Sequence, residues 1–147
     1  MLVRQGGFLI YLELVMANDI RYFTHDHNAR HDPKIQALIK KYGMEGYGRF
    51  WVIVEMMRET REYKITRKPY VYNALAEQMQ CSADEVKKFI KDCIEEYELF
   101  TEEGDFFFSN SLNERMSVLE AMRDKKRSAA YIMHTKYGHN LTKEPGD

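Results

Sequence analysis

The chain is poor in the features that announce a specialised protein class. It has two cysteines in 147 residues, Cys81 and Cys93, and neither belongs to a CxxC pair. That usage excludes a disulfide scaffold and a cysteine-rich zinc site, fits a reducing compartment, and leaves both thiols as small apolar fillers in helical patterns. Net charge is nearly absent, a formal −1 at pH 7, so no global field recruits an anionic polymer. No apolar stretch is long enough to span a bilayer: the run in "GGFLIYLELVMA" is broken by Glu13, and no clear cleavage site follows it. Internal repeats and low-complexity segments are missing. So are the G-x-S-x-G, Walker and H-E-x-x-H motifs, and no enzymatic activity or cofactor is expected.

What the chain does have is aromatic residues, 13% of the total, clustered with aliphatics at regular spacing. That pattern predicts one folded domain of mainly helical character. Residues 16–127 are expected to hold it, with residues 1–15 an N-terminal extension upstream of a biological start at Met16 and residues 128–147 a basic C-terminal extension and tail. Asp32 and Pro33 predict a helix start, because the carboxylate can accept backbone N–H bonds and proline at the first helical position gives up no needed donor. Ile35, Leu38, Ile39 and Tyr42 then share a face, and Gly43 is a left-handed stop. A second helix over about 45–60 carries Tyr47, Phe50, Trp51, Val54 and Met57, widened by Val52, Ile53 and Met56. It is apolar nearly all round, which predicts a buried central rod. Gly46 or Gly48 is expected to permit close helix contact.

The next segments shorten. Tyr63 and Ile65 alternate with polar residues and predict a short strand ended by Pro69. A helix follows over about 70–80, with Leu75, Ala76 and Met79 inward. Ser82 with Glu85 has the form of a capping box. It opens a fourth helix over about 83–97, where Val86, Phe89, Ile90, Cys93, Ile94 and Tyr97 share a face. In "LFTEEGDFFFS" a hairpin is expected, Leu99–Thr101 against Phe106–Phe108 around Gly104. A last helix begins near Ser111, with Leu112, Met116, Leu119 and Met122 along it. Helices joined by a tight turn and followed by a hairpin predict a winged helix-turn-helix with extra helices. The strand at 63–65 completes a small three-stranded antiparallel sheet.

"YFTHDHNARHDP", residues 22–33, is the most chemically suggestive stretch. Yet His25, Asp26 and His27 are consecutive, so their side chains diverge in an extended chain. His27 and His31 precede the helix that would align them. No metal site is expected. The loop is instead read as structural or partner-contacting: Asp26 and Asn28 suit Asx turns, Arg30 would pair with Asp32 or Glu55, and Asp32 caps.

The dense block from Tyr22 to Glu59 resembles a bacterial and prophage domain family. The shared elements are Phe23, His25-Asp26, Asn28-Ala29-Arg30, Asp32-Pro33-Lys34, Tyr42-Gly43, Gly46-Tyr47-Gly48, Trp51 and Glu55. That domain commonly heads replication-initiation proteins of the DnaD type, and a looser likeness continues to the basic "RDKKRSAA" at 123–130. The resemblance implies a winged-helix module, a cytoplasmic role in phage or plasmid replication, and partners such as DNA and a helicase loader.

Charge distribution qualifies that expectation. Residues 77–105, covering the turn, the fourth helix and the hairpin, hold ten acids and three bases, net −7. The bases are Lys87, Lys88 and Lys91. Residues 21–41 and 58–68 each hold five bases and two acids, and residues 123–136 hold five bases and one acid. Phosphate binding needs Lys and Arg. The candidate DNA contacts are therefore Lys87, Lys88 and Lys91 with Arg123, Lys125, Lys126 and Arg127. Tyr131 and Tyr137 could stack on bases. The competing expectation is a protein-interaction or self-association module that docks through the acidic helix and hairpin.

Overall fold

A computed structural model describes residues 21–137. The readings above for residues 1–15, the start at Met16 and the end of the tail lie outside them. Thr24–Arg115 forms one compact unit, and the last helix from Met116 onward belongs to a second.

The elements are α1 (Pro33–Glu59), β1 (Lys64–Thr66), α2 (Pro69–Met79), α3 (Ala83–Glu95), β2 (Thr101–Glu103), β3 (Phe106–Phe108) and α4 (Asn110–Tyr137), with short 3-10 turns at Ala29–His31 and Arg61–Tyr63. This is the order of a winged helix-turn-helix, mainly helical with one small sheet. The two expected N-terminal helices are the two arms of α1. They are two helices joined across a kink at Gly43, whose φ of 69° and ψ of −164° break the helical backbone. Such a conformation is essentially confined to glycine. Asp32 caps α1 as expected, its carboxylate accepting from the Lys34 N–H at 2.8 Å.

The break has a packing purpose. It brings Tyr42 so close over Gly46 that a Cβ at Gly46 would overlap the Tyr42 side chain and approach Phe89; Gly48 faces open space. Beyond it the second arm buries Phe50, Ile53, Val54 and Met57, so the apolar rod does lie at the centre. Phe50 stacks on Phe100 at 5.4 Å, and Phe100 meets Phe107 at 5.6 Å. Leu75 and Ala76 of α2 and Val86, Phe89, Ile90 and Cys93 of α3 close the core.

The sheet has the order β1-β3-β2, all antiparallel. β1 is one residue later than the alternation suggested. The hairpin is displaced too: Thr101 pairs with Phe108 and Glu103 with Phe106, so Leu99 and Phe100 precede the strand. Phe100 is pulled out of the ladder because its ring is a core residue, 2% exposed. Phe107 points inward, opposite Ile65, while Phe106 and Phe108 remain half-buried. Ser109, two residues before the expected start, caps α4 by accepting the Leu112 N–H at 3.1 Å.

Candidate nucleic-acid interface

α3 is the second helix of the helix-turn-helix, and its placement follows from local chemistry. α2 ends at Gln80, which adopts φ 53° and donates its N–H to Glu77, while the Cys81 N–H reaches back to Ala76. The chain turns there and restarts on a full capping box. Ser82 Oγ accepts from the Glu85 N–H at 3.2 Å, and Glu85 Oε2 accepts from the Ser82 N–H at 2.8 Å. That backbone bond holds the Glu85 carboxyl below its ordinary value. Since Val86, Phe89, Ile90 and Cys93 are buried, the helical period turns Lys87, Lys88 and Lys91 outward. All three are exposed, and none is in an ion pair among the described residues.

A second contact fixes the helix from behind. Asp92 is buried, and its carboxylate accepts from the Tyr42 hydroxyl and from Lys41 Nζ at 3.1 Å. Burial works to raise its pKa, but the bonds from Tyr42 and Lys41 outweigh burial and hold it below the ordinary value. The Tyr42 hydroxyl is pushed well up, by burial first and by Asp92 second. Thus the residues just before the Gly43 break grip the back of α3 while its lysines face out.

Lys87 opens onto a cleft of about 350 Å³ that also exposes Arg67, Asn73 and Asp84. Tyr72, Pro69 and Ala83 supply its apolar wall. Arg67, directly after β1, joins three elements at this rim. Its backbone N–H donates to the Asp105 carbonyl at 2.7 Å, and its guanidinium donates to the Tyr72 hydroxyl at 3.4 Å and pairs with Glu102. Arg67 belongs to the basic segment 58–68, and the fold brings it to Lys87, 20 positions along the chain. Glu102, Glu103 and Asp105 are all exposed, so the wing beside the cleft is acidic, as its sequence suggested.

The motif loop has other work. The His25 ring stacks on Trp51 at 3.8 Å. Asp26 pairs with Arg115 at 2.7 Å, and Arg115 also donates to the Thr24 carbonyl. Arg30 donates to the His27 carbonyl rather than pairing with Asp32 or Glu55. The turn is closed by backbone carbonyls: Asp26 accepts from the Ala29 N–H and Asn28 from the His31 N–H, and the Asn28 side chain makes no capping bond. These backbone bonds stand in place of the Asx turns expected at Asp26 and Asn28, and the Asp26 carboxylate is taken by Arg115 instead. Among the described residues no three His, Cys, Asp or Glu side chains converge to hold a metal, and no helix is long and apolar enough to cross a membrane.

In the second unit, Lys125, Lys126 and Arg127 are exposed on α4, and Arg123 lies 3.7 Å from Asp124. Tyr131 and Tyr137 are exposed on the same helix.

The model of the Lin1244/Lin1753-like N-terminal domain family matches residues 22–112. The chain belongs to this family. The match runs from the motif loop through β3 into the first turn of α4, and so takes in every wall of the cleft. No curated protein and no solved structure matches this Lin1244/Lin1753-like chain.

Proposed function

We propose that this Lin1244/Lin1753-like domain is a non-enzymatic nucleic-acid-binding module of a phage- or prophage-type replication-initiation protein. One observation carries the binding reading: Lys87, Lys88 and Lys91 stand exposed on the outer face of α3, in no ion pair among the described residues, beside a cleft that holds Arg67. In helix-turn-helix proteins the second helix is the one presented to nucleic acid. Lysines held in no close ion pair keep their counterion-releasing capacity for phosphates, and of the three only Lys88 feels a buried acid, Asp92. The basic stretch Arg123–Arg127 of α4 adds a second source of phosphate contact. The replication role rests on the resemblance of the motif block to DnaD-type proteins; a helicase loader is the partner class that resemblance suggests.

Binding is weak, because the acidic wing opposes phosphate next to the lysines. That same wing favours a second reading, in which Glu102, Glu103 and Asp105 dock a basic protein surface or a second copy of the chain. A salt titration separates the two. Three phosphate contacts imply a roughly 20- to 40-fold loss of affinity between about 50 and 200 mM salt. The variant Lys87→Ala/Lys88→Ala/Lys91→Ala should lose most of the binding, and Lys125→Ala/Lys126→Ala/Arg127→Ala part of it. Absence of binding at the lower salt removes the nucleic-acid reading. Concentration-dependent sedimentation of the same sample would then support the protein-docking one.

A further inference from the structure

The cleft beside Lys87 is built for more than a phosphate. At about 350 Å³ it falls at the small end of ligand sites, which run roughly 300–1,000 Å³. Its wall carries a carboxylate, Asp84, an amide, Asn73, and two cations, Arg67 and Lys87, over the apolar surface of Tyr72 and Pro69. A seat for phosphate alone is poorly served by Asp84, which repels it. A nucleobase edge uses all of these groups. An exocyclic amino group donates to a carboxylate, an amide both donates and accepts, and a guanidinium offers a plane for stacking.

The surroundings select against duplex. A duplex lying along α3 would bring its second strand to the wing, and the Arg67 N–H bond to Asp105 puts the wing tip at the cleft rim. There Glu103 and Asp105 are exposed, beside Glu102 in its pair with Arg67. A single strand needs only the lysine face, with its phosphates on Lys88 and Lys91 and one unstacked base turned into the cleft. We infer that the cleft between α2 and α3 seats one unpaired base carrying an exocyclic amino group, so that the domain takes single-stranded nucleic acid in preference to duplex. This rests on the binding function proposed above.

The test uses the full chain, a labelled mixed-sequence single strand and the blunt duplex made from it, at about 50 mM salt. The single strand should bind at least tenfold more tightly. Oligo(dC) should bind more tightly than oligo(dT), since thymine presents a carbonyl where cytosine presents the amino group. Asp84→Ala supplies the sharpest sign. It adds net positive charge, so a complex held by phosphates alone would tighten, whereas a base-bound complex should weaken fivefold or more. Asn73→Ala should weaken it similarly. Both side chains are exposed on helix surfaces, and circular dichroism checks that the fold is kept. Equal or tighter binding of duplex, dT matching dC, or tightening by Asp84→Ala each overturns the base seat while leaving nucleic-acid binding in place. If neither strand form binds, both readings fall.

Discussion

At the scale of single residues, Asp92 shows how one polar group can be worth its burial. Its carboxylate is held below the ordinary value of 3.8 by Tyr42 and Lys41 despite burial. A depressed carboxyl pKa contributes stability that is complete above the unfolded value and is lost as pH falls through the folded one. Asp92→Asn should therefore cost about 1–3 kcal/mol at pH 7, the range for disturbing a buried hydrogen bond to a charge. The gap from the unaltered chain should begin to narrow near about pH 4 and close once the pH has fallen through the depressed folded value. Urea unfolding at several pH values measures it; a gap that stays constant with pH would show that the carboxylate charge is not what matters. Nothing in the sequence marked Asp92, which sits among ten acids in its segment. Only the fold selects the one that Tyr42 reaches across 50 positions. Asp32 was legible for the opposite reason: its partner is two residues away, so local geometry alone determines the bond. The histidines were half legible. Spacing argued against a metal, but the seat of His25 on Trp51 depends on a contact 26 residues distant.

At the scale of elements, the helices were legible because caps and apolar period are local signals. Ser82 with Glu85, and Asp32 with Pro33, mark starts at which the helices do begin. Strand limits were less so. Three-residue strands carry almost no periodicity, and the demand of the core for Phe100 moved the hairpin pairing two residues along. The links between elements are a sensitive point. Gly43 occupies a backbone region that costs other residues about 1–3 kcal/mol, so Gly43→Ala should destabilise by that amount. Gln80 is the converse case, a side-chain-bearing residue at φ 53° closing α2. Gln80→Gly relieves the left-handed strain and should stabilise by about 0.5–1 kcal/mol. Chemical denaturation of the two variants checks both signs, and a destabilised Gln80→Gly would mean that its side chain has a contact that matters more than backbone comfort.

At the scale of the whole molecule, near-neutrality conceals segregation. Acids and bases nearly cancel in number, but the middle of α3 exposes three lysines while its two ends and the wing expose carboxylates. The segment count joined helix and wing as one acidic stretch and showed only that its three bases are grouped on the helix; the meeting of Arg67 with Lys87 was not legible, because it joins the end of β1 to α3 through the fold. The loop that carries the family motif is tied down by Arg115 as well as by the stack of His25 on Trp51. Because Asp26 is largely exposed, Arg115→Ala should cost only about 1 kcal/mol. It should nevertheless speed hydrogen exchange across residues 24–32 while the core amides of α1 and α3 keep their protection. Uniform acceleration would place Arg115 in the global fold instead. One side chain thus spans the gap between the two ends of the 24–115 unit. The two ends of the unit lie within one arginine's reach of each other, so a short peptide could join them and new ends be opened elsewhere, or the unit be inserted into a surface loop of a host protein.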